Sequence, residues 1–285
     1  MKLFQFDDVQ EFWAIAQPYL LQHEAENNLP LSLINTLRHN PERYPDPPYL
    51  AIVSSGDNID DEILALAMRT PPHKLVLSKA KDLRAIALIA QDIQNLPDAF
   101  PGISGPVAEV ESCVQAWHAL TGRPYHRSDE LKIHQLTRVN PLEFAKGRLR
   151  LATESDRPLL LKWFTAFATE LGGDIVIEAP EKSVDNSLKH RNTYLWQDQT
   201  PVSWANGRRS LPNLGRIGPV YTPPEHRRQG YATACVAALS QKLLDEGCKR
   251  CYLFTEVSNP TSNHIYREIG YRFICDWHQY TFRHD

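Results

Sequence analysis

The run Arg227-Arg228-Gln229-Gly230-Tyr231-Ala232-Thr233 holds the residue types of an anion site. It leads into an amphipathic stretch whose apolar Val236, Leu239, Leu243 and Leu244 share one face of a helix. A helix start offers unpaired backbone N–H groups and the positive end of a dipole. Gly230 has no Cβ, so the backbone can approach phosphate oxygens and take a positive φ. Ala232 is too small to obstruct the next amide. Arg227 and Arg228 add charge, and a guanidinium grips phosphate with two donors. The whole suits a pyrophosphate. Taken alone, it equally suits a polar turn ahead of a surface helix.

A second group of chemically able residues follows the helix. Cys251 to Val257 reads as a strand, and Glu256 near its end can act as a base or serve as a cap beside Asn259. Asn263 to Ile269 reads as a short helix closed by Gly270, and it carries Tyr266, either a proton donor or a core aromatic. His226 precedes the arginine pair and reads as solvated. His278, between Trp277 and Tyr280, reads as structural.

The elements that must position these groups are legible around them. Leu149–Ala152 reads as a strand, followed by a helix capped at Thr153 or Ser155 with Leu160, Leu161, Phe164 and Phe167 on one face. Thr193–Asp198 and Val202–Asn206 read as a hairpin, and Arg216–Thr222 as a further strand ending at Pro223-Pro224. Pro219 inside that strand removes a ladder donor, which fits a bulge.

The first half has the same rhythm. Strands are expected at Leu3–Phe6, Tyr49–Ser54, Ile63–Thr70, Leu75–Leu77 and Leu131–Val139. Helices are expected over Asp8–Leu21, Leu31–His39, Asp82–Ile93 and Val107–Leu120. Asn140–Arg148 reads as the linker. The counterpart of the basic loop, Ser78–Arg84, has lysines but no glycine, and Asp82 would put a carboxylate at the helix start.

The block from about Arg148 to Asp285 resembles the GNAT superfamily of acyl-CoA N-acyltransferases. The family pattern is a strand, x-Pro, then Q/R-x-x-G-x-G/A at a helix start, and Arg227, Gly230 and Ala232 occupy its defining positions. Leu253–Val257, then Asn259, Asn263, Tyr266 and Gly270-Tyr271, follow in the family's order. Ala232 replaces the commoner glycine, and the Gly218-Pro219 step leaves local hydrogen bonding open. The resemblance implies an α+β (mixed α/β) fold, a central mixed sheet flanked by helices. The shared rhythm extends this to two such domains, residues 1–140 as a degenerate or accessory copy and 148–285 as the catalytic one. It further implies acetyl transfer from acetyl-CoA to an amine of a small molecule or peptide by direct attack. Arg228, Gln229, Gly230, Tyr231, Ala232 and Thr233 would cradle the pyrophosphate. Val220, Tyr221 and Thr222 would lie beside the pantetheine and acyl carbonyl, Asn259 and Asn263 along the cofactor arm. Tyr266 would protonate the leaving sulfur, with Glu256 the candidate base. The alternative is a catalytically weak acyl-CoA-binding regulator on the same fold.

Bulk properties limit the other classes. The 285 residues carry a net charge of -3, without the basic excess of a protein that coats nucleic acid. No Gly-Lys-Ser/Thr string marks a nucleotide P-loop. Apolar runs fall short of the ~20 residues that span a bilayer. Met1–Trp13 turns acidic at once, unlike a signal peptide, so a cytoplasmic monomer or homodimer is expected. Cys113, Cys235, Cys248, Cys251 and Cys275 are expected as free thiols. The Cys248-x-x-Cys251 pair leads into a strand rather than a helix, so no metal is expected. The acceptor site is expected at the Leu171–Asn192 loop together with pieces of the N-terminal half, with Gly173-Asp174 and the Glu178–Asp185 stretch acidic enough to attract a cation.

Overall fold

A computed structural model describes residues 1–44, 46–96, 100–171 and 179–283. It forms two compact units, Met1–Ile133 with Ile274–Asp285, and His134–Phe273.

The first unit opens with strand β1 (Lys2–Gln5), helices α1 (Val9–Leu20) and α2 (Asn28–His39), and strands β2 (Tyr49–Ser54), β3 (Ile63–Arg69) and β4 (Leu75–Leu77). Helix α3 (Arg84–Ile93), β5 (Gly102–Pro106), α4 (Val107–Thr121) and β6 (Tyr125–Leu136) follow, with β6 from His134 onward counting with the second unit. Asp8 starts α1 by accepting from the amides of Gln10 (2.6 Å) and Glu11 (2.9 Å). β1–β2, β2–β3 and β3–β4 pair antiparallel, whereas β4 and β5 pair parallel. Helix α3 buries Ala85, Ile86, Ile89, Ala90 and Ile93 on one face, over a core that includes Leu75, Leu77, Ile103 and Val110.

The second unit repeats the order. It runs β7 (Arg148–Leu151), α5 (Arg157–Leu171), α6 (Pro180–Lys189), β8 (Thr193–Asp198), β9 (Thr200–Leu211), β10 (Leu214–Tyr221), α7 (Tyr231–Asp245), β11 (Arg250–Glu256) and α8 (Pro260–Ile269). The pairings repeat as well: β7–β8, β8–β9 and β9–β10 antiparallel, β10–β11 parallel. Ahead of α5, Thr153 and Asp156 form a reciprocal capping box. Arg150 clamps the Asp156 carboxylate through two bonds of 2.7 Å. That guanidinium, assisted by the Thr153 donors, holds the Asp156 carboxyl down to about 2.

The last strand, β12 (Arg272–Phe282), crosses the division. From Ile274 onward it counts with the first unit, where Trp277 to Thr281 pair antiparallel with Pro106 to Gly102 of β5. Gly102 permits that approach: a Cβ there would meet the Tyr280 carbonyl oxygen at 2.0 Å. Phe282 then stacks on Trp117 with ring centroids 3.6 Å apart. The units thus differ from a cut between 140 and 148. The expected linker counts with the second unit, and the terminal strand with the first.

Three further expectations are corrected. β5, a stretch to which the sequence assigns no element, is a strand whose residues are all buried. Helix α6 occupies part of the stretch read as the acceptor loop, with Pro180 in its first turn. β6 begins at Tyr125 rather than Leu131, because half-buried polar residues also pair in a strand.

Candidate cofactor site

β10 leaves a gap beside itself. It pairs with β11 at Leu214, Gly215 and Arg216. Beyond Arg216 no residue of β10 pairs with β11 among the described residues, although the strands run on to Tyr221 and Glu256. On its other side β10 pairs with β9, with a register shift between Ile217 and Val220. The Gly218-Pro219 peptide, which is cis, lies inside that shift. The expected bulge at Pro219 is present, and the backbone past it is left without a ladder partner toward β11.

The end of β10 is fixed from the β9 side. Ser203 donates to the Tyr221 carbonyl (3.2 Å) and bonds the Thr222 hydroxyl (2.9 Å). Val220 and Tyr221 face Ala205 and Trp204 in register. The Tyr221 hydroxyl donates to Glu170 on α5 (3.2 Å), and burial, then the Glu170 charge, raises its pKa.

The chain then turns through Pro224–His226 into the basic loop. Arg228 (φ 59°) and Gly230 (φ 77°) both take left-handed backbone, the latter as N-cap of α7. No side chain caps α7, so its first amides keep their donors for another acceptor. A Cβ on Gly230 would sit 3.6 Å from the Ala145 Cβ, in ordinary contact, but in strained backbone. Arg228 is exposed and makes no ion pair or hydrogen bond among the described residues. Gln229 leans back on the Glu225 carbonyl (3.4 Å), and Tyr231 donates to Asp198 (2.9 Å). Ala232 and Thr233 are half-buried in the first turn.

Arg227 is placed differently from the expectation that it adds charge to the phosphate loop. Its guanidinium bonds Glu170 at 2.8 and 2.7 Å and the Thr222 carbonyl at 2.8 Å. It also lies over the Tyr221 ring, 5.7 Å from the centroid. Arg227 therefore staples the loop to β10 and α5. Sequence reasoning missed Glu170, and a partner 57 residues away leaves no local signal.

The opposite wall comes from β11 and α8. The Glu256 carbonyl accepts from the Asn259 amide (3.2 Å) and from Asn263 Nδ2 (2.9 Å). Asn259 Oδ1 caps α8 through the Ser262 amide (3.0 Å), and Asn263 Oδ1 accepts from Thr255 (3.0 Å). Both asparagine side chains thus hold the turn. The Glu256 carboxylate is half-exposed and has no partner among the described residues. Tyr266 lies in the same apolar cluster as Ile217, Ala234 and Cys235, with Val220 and Tyr231 packed against it. Its hydroxyl makes no hydrogen bond among the described residues, and burial pushes its pKa up to about 12. It is a neutral acid at physiological pH.

The other candidates have different surroundings. His278 belongs to the first unit and lies 3.8 Å from Glu111. Cys248 and Cys251 are buried free thiols, and burial raises both. No group of His, Cys, Asp and Glu suited to a metal occurs among the described residues. No helix among them is long and apolar enough to cross a membrane. Gly173-Asp174 and Glu178 lie outside the described residues, and Asp185 pairs with Arg157 (2.6 Å).

In the first unit, the equivalent stretch between β4 and α3 is closed by the protein itself. The amides of Lys79 and Ala80 donate to Asn27 Oδ1 (2.8 Å) and Glu109 Oε1 (3.0 Å). Those of Ser78 and Lys81 donate to the carbonyls of Leu66 (2.9 Å) and Leu64 (2.8 Å). Glu109 is fully buried and pairs with the Lys79 ammonium at 3.0 Å. Asp82 accepts from the Arg84 amide (2.9 Å), which puts the expected carboxylate at the start of α3.

Residues 159–271 match the model of the acetyltransferase (GNAT) family. No curated protein sequence matches the chain. A Drosophila protein of solved structure aligns with a TM-score of 0.71 at 11% identity, over 99% of this chain and 98% of its own. A GNAT-family acetyltransferase from Colwellia psychrerythraea aligns at 0.58 and 14%, over 99% and 100%. A tandem GNAT protein from the clavulanic acid biosynthesis pathway aligns at 0.57 and 12%, over 98% of each chain. At such identities these likenesses concern the fold, and they extend along both units. Residues 159–271 are thus similar to the acetyltransferase (GNAT) family, within a two-unit architecture whose first unit repeats the order of elements of the second.

Proposed function

We propose that the second unit transfers an acetyl group from acetyl-CoA to an amine of a small molecule or peptide, by direct attack of the amine on the thioester. The supporting observation is the uncapped start of α7 behind Gly230, set at the end of a strand that has parted from its neighbour. The residues fit a pyrophosphate: unspent amides, a glycine in left-handed backbone and a free Arg228. Arg228 to Thr233 would cradle it. Val220, Tyr221 and Thr222 offer backbone polar groups along the gap, which suit a pantetheine amide and the carbonyl oxygen that gains charge.

Tyr266 supplies the proton for the departing sulfur. A hydroxyl with a pKa of about 12 keeps that proton at neutral pH, and it is not already engaged. Glu256, with an unpartnered carboxylate at the end of β11, is the proposed acceptor of the amine proton, directly or through water. Asn259 and Asn263 hold Glu256 and α8 in place, with cofactor contact through their remaining polar edges.

The test is calorimetric titration with acetyl-CoA, followed by detection of free thiol across a panel of amines. Binding near one equivalent per chain, with thiol release dependent on a particular amine, is expected. Binding without release for any amine would favour an acyl-CoA-binding regulator. Lack of binding would remove the proposal.

A further inference from the structure

The segment from Asn140 to Gly147 is unused by the chemistry above, yet it runs beside the phosphate loop. Ala145 is the residue that a Cβ on Gly230 would touch. Leu142 and Ala145 pack against the core beneath α7. Trp196 Nε1 donates to the Lys146 carbonyl at 3.0 Å. Gly147, at φ 126°, lets the chain press on β8, because a Cβ there would meet the Gln197 carbonyl oxygen at 2.6 Å. The backbone of this segment is therefore held, not loose.

Its side chains are held in an unusual state. Phe144 rests edge-on against Trp196, with centroids 6.1 Å apart, and remains 49% exposed. Lys146 is exposed and has no ion partner among the described residues. Each lies one residue, about 3.8 Å along the chain, from the alanine that abuts the loop. Arg228 adds a second unpaired cation. The only acidic side chain of the segment is Glu143. A half-exposed ring beside free cations is the chemistry that binds a purine and a phosphomonoester: the ring offers a stacking face, the cations meet the dianion.

We infer that Phe144 and Lys146 form the subsite for the adenosine 3′-phosphate end of coenzyme A, with Phe144 against the base and Lys146 on the 3′-phosphate. This rests on the reading of the loop as a coenzyme A site. It assigns to the stretch ahead of β7 a binding role distinct from joining two units.

The experiment compares coenzyme A with 3′-dephospho-coenzyme A by calorimetry on the full-length protein. The wild type should bind coenzyme A about tenfold more tightly. Lys146→Glu should reduce that preference to about twofold while leaving the dephospho ligand nearly unchanged. Phe144→Leu, which keeps apolar packing on Trp196 but removes the ring, should weaken both ligands by about fivefold. Phe144→Tyr should restore them. Equal affinities in the wild type, or a preference that survives Lys146→Glu, would overturn the phosphate assignment. Unchanged binding in Phe144→Leu would overturn the base assignment. If neither ligand binds the wild type, the acyl-CoA reading itself fails, an outcome distinct from tight binding without preference.

Discussion

The two units place a loop between a short parallel-paired strand and a helix, and they satisfy its amides in opposite ways. Around Ser78–Arg84 the donors are spent on the protein's own acceptors, with the buried Glu109 carboxylate at the centre. Around Arg227–Thr233 the protein supplies no side-chain cap, and Arg228 stays unpaired. An anion can be received only where amides await one. In the first unit the same demand is met by a residue 29 positions further along the chain. In the first unit a side-chain carboxylate stands where the proposed reading of the second unit would place a ligand's charge.

The comparison can be broken from either side. The largest expected effect is in the first unit. Glu109→Ala strands the Ala80 amide and removes the Lys79 ion pair, and it should cost about 3 kcal/mol in urea unfolding. The affinity of the folded protein for acetyl-CoA should not change. A parallel loss of affinity would mean that the first loop also binds.

Next in size is Tyr266→Phe. It should lower kcat by about 10²-fold, with acetyl-CoA binding retained. The matching helix α4 carries no tyrosine. Collapse of binding, or an unchanged rate, would remove the acid assignment.

The helix starts give a third contrast. Asp156 is clamped by Arg150, whereas Asp8 caps α1 through backbone amides alone. Because the Asp156 carboxyl is depressed to about 2, its contribution is present above the ordinary carboxylate range and is lost as pH falls through about 2. Asp156→Asn should cost about 2 kcal/mol at pH 7, and the gap to wild type should narrow in acid. Asp8→Asn should cost only about 0.5 kcal/mol, since asparagine also caps. Equal losses would show that Arg150 adds nothing.

The smallest effect is the most local. Gly230→Val should weaken coenzyme A binding at least tenfold, about 1.4 kcal/mol, while Ala80→Gly leaves it untouched. Calorimetry on both variants decides whether the two loops differ as described.

The features legible in the sequence are those with local causes. β2, β4 and β8 have the bounds that their apolar runs suggest, and α7 begins where glycine and the apolar period place it. β5 was hidden because its glycine answers to a strand from the far end of the chain. Arg227 reads as a phosphate cation because its neighbours are basic; only the fold reveals Glu170 opposite it. Likewise Asn140–Gly147 has the composition of a linker, and its packing beside Gly230 depends on Trp196, far along the chain. Periodicity reports which face is buried, but not which distant residue covers it.

The last strand carries a consequence for synthesis. Residues Ile274–Phe282 complete the unit that begins at Met1, yet they are translated after all of His134–Phe273. On the ribosome the later unit has its whole sequence available first, while the earlier one waits with the β12-facing edge of β5 unpaired. A nascent chain stalled or clipped before Ile274 would expose that edge together with the apolar surface that Tyr280 and Phe282 cover. Folding of the first unit should therefore wait until Ile274–Phe282 has been translated.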